Sequence, residues 1–155
     1  MKELIILCGN IGTGKSTLAK QYQEKGYVVI ARDGLRYSIG GGNYIFNTDY
    51  EPIIWGTELY MLELFMEHGV NLVIDEVGIS KSMRVRYIIP ARDYGYTIKC
   101  RVLPQLSMKE AVDRRMKDPH GQPNKELWEN AWVKFQAQYE EPTLDESFDE
   151  IIRTI

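Results

Sequence analysis

The sequence predicts a three-layer α/β/α sandwich, in which helices cover both faces of a mostly parallel, five-stranded sheet. Short apolar runs alternate along the chain with longer segments whose apolar residues recur at helical spacing. The first apolar run leads directly into a glycine-rich turn that opens a helix. Such alternation is typical of βαβ units, whose strands are parallel.

The first half of the chain is predicted to contain strands over 4–8 and 27–31 and helices over 15–25 and 51–69. The first strand is a continuous apolar run, as expected for a strand that is buried on both faces. Gly26 and Gly69 follow the two helices and fit their ends, and Pro52 fits a first helical turn. The glycines 40–42 indicate a turn-rich connection before the second helix.

The second half is predicted to contain strands over 70–76, 97–103 and 149–155 and helices over 80–96, 107–117 and 125–140. Pro90 is expected to interrupt or end the first of these helices. Ser107 and Glu110 form a capping-box pattern at the start of the second helix. Proline and glycine over 118–124 indicate a loop.

The length of 155 residues favours a single domain over residues 1–155. The net charge of −3 gives no general attraction to nucleic acid or to a membrane. Residues 81–117, however, carry ten Lys and Arg against three Asp and Glu, whereas residues 118–155 carry three against nine. The basic segment could hold phosphate groups, and the acidic segment is better explained by solvated helix faces.

The cysteines and the apolar runs indicate a cytoplasmic protein. Cys8 and Cys100 both lie in strand-like apolar runs, which favours buried thiols over a disulfide, and no Cys or His spacing is typical of a metal site. No apolar stretch approaches the ~18 residues that span a bilayer, so we expect no membrane partner. The first residues are too short for a secretory signal.

The segment from Gly9 to Ser16 matches the pattern G-x-x-x-x-G-K-[ST] in full. Its glycines let backbone amides approach a polyphosphate, and the helix that begins there adds unpaired amides. Lys15 is expected to reach the β and γ phosphates, and the Ser16 hydroxyl to bind Mg²⁺. The pattern therefore predicts a P-loop NTPase fold that binds ATP through Gly9, Asn10, Ile11, Gly12, Thr13, Gly14, Lys15, Ser16 and Thr17.

Two classes of P-loop protein fit the sequence poorly. A GTPase needs N-K-x-D after a strand, and the only similar triplet, at 124–126, opens a late helix. A ring-forming motor ATPase normally needs a further helical subdomain, for which the chain is too short. Kinases remain, and they need a base for the acceptor hydroxyl, an acid near the metal and a mobile arginine lid.

Asp33 is the candidate base, because it follows the second strand at the edge where ligands bind in parallel sheets. Arg36 lies one helical turn further on and could hold a phosphate on the acceptor side. The alternative interpretation makes Asp33 a helix N-cap and leaves Arg36 at the surface.

Acids and arginines complete the predicted site. Asp75 and Glu76 end a buried strand, so we place Asp75 at the metal and Glu76 near the acceptor, although the order could be reversed. Arg114 and Arg115 precede a flexible segment, and a lid over 114–124 could bring either arginine to the transferred phosphoryl group. The alternative is a solvated helix end.

Together these motifs resemble the polynucleotide 5′-kinase-like P-loop kinases, which are common in bacteriophages. The resemblance rests on "GNIGTGKST", "RDGLR", "VIDE" followed by Arg84, "DRR" before the lid and "YEEPTLDESFDEII" near the end. It implies that Asp33 is the general base, that Arg36 contacts an acceptor-strand phosphate, and that Lys15 with Arg114 or Arg115 clamps the donor phosphates. The chain departs from the family pattern at Gly34 and at 76–78, which puts acceptor contacts from those two places in doubt. It also has Asp118 where relatives can carry a second lid arginine after Arg114.

The acceptor site is predicted from Arg36, Glu76, Arg84 and Tyr44. The aromatic residues Tyr44, Phe46, Tyr50 and Trp55 could stack on a base, or could simply anchor the glycine-rich turn. The leading acceptor is the 5′-OH of DNA or RNA. The alternatives are a hydroxymethylated pyrimidine in DNA, as for similar phage kinases, and a nucleoside, nucleotide or other small metabolite. A non-catalytic ATP-binding module is the rival from another class.

Overall fold

A computed structural model describes residues 2–154. Its five strands form one sheet with the order β2-β3-β1-β4-β5. The strands are β1 (Glu3–Cys8), β2 (Val28–Ile30), β3 (Leu72–Ile74), β4 (Thr97–Val102) and β5 (Glu150–Arg153). Every neighbouring pair is parallel. The predicted sheet is therefore confirmed in strand number and direction.

Within the part of the chain that the structure describes, six α-helices connect the strands. They are α1 (Lys15–Glu24), α2 (Arg32–Ile39), α3 (Glu51–His68), α4 (Lys81–Asp93), α5 (Met108–Arg115) and α6 (Lys125–Gln138), and a 3₁₀ turn covers Leu144–Glu146. Pro90 lies inside α4, which continues to Asp93 before it ends. Within residues 2–154, no helix combines the length and the apolar character that crossing a membrane requires.

The central strand β1 explains why helices cover both faces of the sheet. Leu4 and Ile6 belong to a large buried cluster on one face, whereas Ile5 and Leu7 belong to a second cluster on the other. The first cluster includes Leu62 and Met66 of α3 and Tyr87 and Ala91 of α4, and the second includes Ala19 and Tyr22 of α1. Alternate side chains of one apolar strand thus support both helical layers.

The helix α2 lies directly after β2 and carries the predicted base. Its N-cap is Ala31 in an extended conformation, so Asp33 lies inside the first turn. Arg36 is only 9% exposed. The alternative interpretation, with Asp33 as the cap and Arg36 at the surface, is therefore wrong.

The parallel arrangement places three chain segments at one edge of the sheet. The carboxyl ends of β1, β2 and β3 lead into the glycine loop, the start of α2 and the acids Asp75 and Glu76. Since β1 and β2 both pair with β3, these segments lie side by side where open parallel sheets form their ligand crevice.

Candidate active site

A cleft of about 440 Å³ lies at this edge of the sheet. Its walls include the predicted residues Lys15, Ser16, Asp33, Arg36, Tyr44, Asp75, Glu76 and Arg115. A neighbouring space is lined by residues 12–17 together with Arg114, Arg115, Asp118 and His120. Lys15 and Ser16 line both spaces, so the glycine loop and the predicted base face a continuous site.

The glycine loop owes its shape to residues that have no side chain. Gly12 and Gly14 have φ values of +71° and +96°, a region that other residues rarely adopt. A Cβ atom on Gly12 would lie 2.3 Å from the carbonyl oxygen of Ala111, so the loop packs directly on α5. Gly14 is the N-cap of α1 and offers no side-chain hydrogen bond, which leaves the first amides of α1 for an anion.

Lys15 is a buried cation beside this cradle. Its Nζ donates a hydrogen bond of 2.6 Å to the carbonyl oxygen of Asn10. Burial lowers the pKa of Lys15 to about 8, and the Asp75 carboxylate offsets only part of that effect. Phosphate oxygens would supply the negative charge that the buried ammonium lacks, so the cradle fits the polyphosphate of ATP.

Ser16 and Asp75 are the two oxygen donors that fit a divalent cation. Burial raises the pKa of Asp75, and a hydrogen bond from the Ser16 hydroxyl and the charge of Lys15 partly counter it. Residues 2–154 contain no group of three or more His, Cys, Asp or Glu positioned to hold a metal ion. Two oxygen donors suit Mg²⁺, because this ion is often held by few protein ligands together with phosphate oxygens and water.

One oxygen of the Asp33 carboxylate accepts hydrogen bonds from neighbouring side chains, and the other faces the lid. Its Oδ1 accepts hydrogen bonds from Arg36 Nη1 at 2.7 Å and from the Tyr44 hydroxyl at 3.0 Å. Its Oδ2 lies 3.9 Å from Nε2 of His120, and the side chain is 46% exposed. One oxygen of a well-oriented carboxylate is thus available to a proton donor from the cleft.

Arg36 is held between two carboxylates. It donates to Asp33 and also, through Nε at 3.1 Å and Nη2 at 2.5 Å, to Glu51 at the start of α3. Burial alone would lower the pKa of Arg36, but Glu51 and Asp33 raise it. Arg36 therefore orients Asp33, and its contact with an acceptor phosphate stays a prediction.

Glu76 anchors the start of α2. Its carboxylate accepts from the backbone N–H of Arg32 at 2.8 Å and from the Arg32 guanidinium at 3.0 and 3.1 Å. Behind this pair lies Glu58, whose pKa is raised to about 8 by burial and then by the charge of Glu76. Glu76 thus fixes the turn that precedes Asp33, whereas its neighbour Asp75 lies beside Ser16.

The structure contradicts the predicted role of Arg84 in acceptor binding. Arg84 is completely buried and lines neither of the two spaces of the site. Its guanidinium donates to Glu146 at 2.8 and 3.0 Å and to the carbonyl oxygen of Gly78 at 2.9 Å. Arg84 therefore joins α4 to the 3₁₀ turn.

The two lid arginines differ in where they point. Arg115 lines the cleft, with Nη1 2.6 Å from Nε2 of His120 and its guanidinium 5.1 Å from the Trp128 ring. Arg114 is exposed and lines only the space around the glycine loop. Of the two candidates, Arg115 is the one placed between donor and acceptor sides.

Sequence reasoning missed one residue of the site, His120, and one neighbour of the site, Arg86. His120 contacts Arg115 and faces Asp33, and the signal for it was a titratable ring inside the predicted lid. Arg86 lies with its guanidinium 4.1 Å from the Trp55 ring, on which Arg32 also stacks at 3.6 Å. Two guanidinium groups this close to one ring centre cannot share a face without overlapping, so they lie on opposite faces. No local pattern in the sequence indicated this arrangement.

Fold and site together define a P-loop kinase type of domain: a parallel sheet, a phosphate-binding loop and a facing carboxylate. Residues 4–142 match the family model AAA_33, described as an AAA domain, and the chain belongs to this family. No functionally curated protein matches the sequence.

Solved structures with the same fold include three kinds of protein. The Pnkp1/Rnl/Hen1 RNA repair complex contains a chain with 22% identity and a TM-score of 0.70, which this protein matches over 96% of its own length and 46% of that chain. The Mycobacterium tuberculosis APS kinase CysC, in complex with AMPPNP and APS, has 16% identity and a TM-score of 0.61, with 98% and 88% covered. Shikimate kinase from Acinetobacter baumannii, in complex with shikimate, has 17% identity and a TM-score of 0.58, with 100% and 85% covered. The chain thus spans less than half of the RNA repair protein that it resembles.

Proposed function

We propose that the protein is an ATP-dependent kinase that transfers the γ-phosphoryl group to a hydroxyl group. One observation carries the proposal: Lys15 of the phosphate-binding loop and the open oxygen of Asp33 line the same cleft. A phosphate-binding loop alone would suit a binding module, but a carboxylate across the cleft suits proton abstraction from an acceptor.

In this mechanism the acceptor hydroxyl gives its proton to Oδ2 of Asp33. The acceptor oxygen bonds to the γ-phosphorus as the bond to the β–γ bridging oxygen breaks, and ADP leaves. Lys15 and Arg115 both line the cleft and would bring positive charge to the phosphoryl oxygens. Ser16 and Asp75 would hold Mg²⁺, which neutralises further phosphate charge when bound.

We propose the 5′-OH end of DNA or RNA as the acceptor. The acceptor side contains several guanidinium groups, and Arg86 has a buried Nε with no hydrogen-bond partner in the described residues. Arg86 does not line the cleft itself, but its guanidinium lies on the ring of Trp55, which does, so it adds positive charge close to the acceptor side. A phosphodiester next to a 5′ end supplies such a charge. The similarity to a chain of an RNA repair complex supports the same choice.

A small acceptor is the second candidate, and the shape of the cleft favours it. The ring of Tyr44 stacks on His120 with centroids 5.2 Å apart and narrows the space over Asp33. A volume of about 440 Å³ is in the range of small-ligand pockets. The similar APS and shikimate kinases are named for small acceptors. A hydroxymethylated pyrimidine in DNA would need the same aromatic side chains to hold an extruded base.

A transfer assay with γ-labelled ATP tests the proposal. The acceptor panel contains 5′-OH DNA and RNA oligonucleotides, the same oligonucleotides with a 5′-phosphate, DNA with hydroxymethylated pyrimidines, nucleosides, sugars and shikimate. We expect label only on the oligonucleotides that have a 5′-OH. The 5′-phosphorylated oligonucleotides should stay unlabelled, because they have no free 5′ hydroxyl group to accept the phosphoryl group. Label confined to a small acceptor would overturn the polymer assignment. ATP binding without transfer to any acceptor would favour the non-catalytic module.

A further inference from the structure

His120 is the residue through which the lid touches the acceptor side. It is one of two non-glycine residues in the described part of the chain with a positive φ, at +50°. Such left-handed conformations are uncommon outside glycine and concentrate at functional sites. The ring of His120 reaches from the loop after α5 to α2, where it meets Tyr37 and Asp33.

The hydrogen bonds of His120 specify one tautomer. Arg115 Nη1 lies 2.6 Å from Nε2, and a guanidinium can only donate, so Nε2 must carry a lone pair. In the neutral ring the proton is then on Nδ1, which donates to the Tyr37 hydroxyl at 2.6 Å. This form of the ring supports Arg115 from the side that faces the acceptor.

The same nitrogen also faces the proposed base. Nε2 of His120 lies 3.9 Å from Oδ2 of Asp33, the carboxylate oxygen that Arg36 and Tyr44 leave open. A proton on Nε2 would remove the acceptor for Arg115 and place a cation against Asp33. The protonation state of Nε2 therefore determines both whether Arg115 is held and whether Asp33 is free to accept a proton.

The surroundings of His120 keep its ring neutral. Burial lowers the pKa of His120, and the charge of Arg115 on α5 lowers it further, while Asp33, Asp118 and Asp75 act in the opposite direction. The remaining groups that face the ring are the hydroxyl of Tyr37, the stacked ring of Tyr44 and the ring of Trp128, whose centroid lies 6.4 Å away. The folded protein thus binds a proton at this site at a lower pH than an ordinary histidine does.

We propose that His120, as the Nδ1–H tautomer, is a positioning residue that holds Arg115 in the cleft and whose protonation stops phosphoryl transfer. This inference rests on the proposed kinase function. His120 does not touch the reacting atoms in this scheme. It couples the lid to the base, so the lid arginine is in place only when Asp33 is free to accept a proton.

The tautomer can be tested without any acceptor. The chain contains two histidines, and the other, His68, is exposed at the end of α3. Two-bond ¹H–¹⁵N NMR correlation of the His68→Gln variant then reports His120 alone. We expect the Nδ1–H pattern near pH 7 and its loss in an Arg115→Met variant. An Nε2–H pattern, or a charged ring at pH 7, would overturn the inference whatever the enzyme phosphorylates.

The pH dependence of turnover tests the coupling. In the wild type and in His68→Gln, kcat should fall about tenfold per pH unit below the pKa of His120. His120→Gln keeps a neutral acceptor near Arg115 but cannot titrate, so this limb should move to lower pH. His120→Ala should lose about 10²-fold in kcat at pH 7.5 with a nearly unchanged KM for ATP, because Arg115 is no longer held. An acid limb that is identical in the wild type and His120→Gln would contradict the proposal.

Discussion

The two ends of the cleft differ in how the protein compensates their charges. At the donor end, the buried ammonium of Lys15 hydrogen bonds to a backbone carbonyl, and the first amides of α1 have no side-chain cap. At the acceptor end, the Arg36 guanidinium already bonds to both Asp33 and Glu51. The donor end is arranged to receive an anion, whereas an acceptor has to compete with hydrogen bonds that the chain already makes.

This difference separates general from specific parts of the site. Any nucleoside triphosphate can satisfy the loop, because backbone amides recognise phosphate and not the base. Selection of the acceptor depends instead on whether its hydroxyl can reach the open Oδ2 of Asp33 past side chains such as Tyr44, which bonds to Oδ1. The following variants test this division, from the largest expected effect to the smallest.

Among the changes at Lys15, Glu51 and Glu58, replacing Lys15 by methionine should have the largest effect, because it removes the cation of the donor end. We expect a loss of about 10²–10³-fold in kcat together with weaker ATP binding. The nucleotide-free protein should unfold at an unchanged or higher temperature, since the buried ammonium, with its pKa lowered to about 8, opposes folding. Isothermal titration with ATP and thermal unfolding measure the two effects. Lys20→Met, an exposed change on α1, is the control, and wild-type ATP affinity in Lys15→Met would contradict the donor-end assignment.

Glu51→Gln should have an intermediate effect, confined to the acceptor end. Loss of this carboxylate releases one side of Arg36, so Asp33 is oriented less well and kcat should fall about tenfold. The Arg36 guanidinium then has only Asp33 as a charged partner, so it should bind a polyanionic acceptor a few-fold more tightly, and more so at low salt. The affinities for a labelled 5′-OH oligonucleotide and for ATP are measured separately, so that effects on the acceptor end and on the donor end can be distinguished. The exposed Glu63→Gln change on the same helix is the control. Equal losses of ATP and oligonucleotide binding would show that the two ends are not independent.

Glu58→Gln should have the smallest effect on turnover and a pH-dependent effect on stability. The pKa of Glu58 in the folded protein, raised to about 8, lies above its ordinary value. The folded state therefore holds a proton that the unfolded state loses, and the free energy of unfolding falls as pH rises from about 5 to 8. The glutamine variant should lack this contribution and gain most over the wild type near pH 8. Urea unfolding at several pH values measures how the free energy of unfolding changes with pH. The same pH dependence in the wild type and in Glu58→Gln would contradict this prediction.

The donor end was predictable from the sequence because it is local. Eight consecutive residues, from Gly9 to Ser16, contain the glycines, the lysine and the hydroxyl, and the strand and helix on either side follow from periodicity. The strands β1, β2 and β3 were predictable for the same reason, since each is a short apolar run.

The acceptor end depends on contacts between distant segments, which no local pattern reports. The start of α2 is held by Glu76, 44 residues further along the chain. The sequence predicted Arg84 as an acceptor ligand. Its hydrogen-bond partner Glu146 lies 62 residues further along the chain, and Arg84 pairs with it in the interior. His120 and Arg86 could be recognised only from the fold, which places His120 near Asp33 and Arg86 on the ring of Trp55.

Comparison of Asp33→Asn with the wild type tests the central claim most directly. Asparagine keeps the shape of the side chain and can accept the hydrogen bonds of Arg36 and Tyr44, but it cannot take a proton from an acceptor. The claim predicts wild-type ATP binding and a loss of phosphoryl transfer of about 10²–10⁴-fold under single-turnover conditions, with the exposed Asp113→Asn change as control. Transfer at the wild-type rate in Asp33→Asn would contradict it.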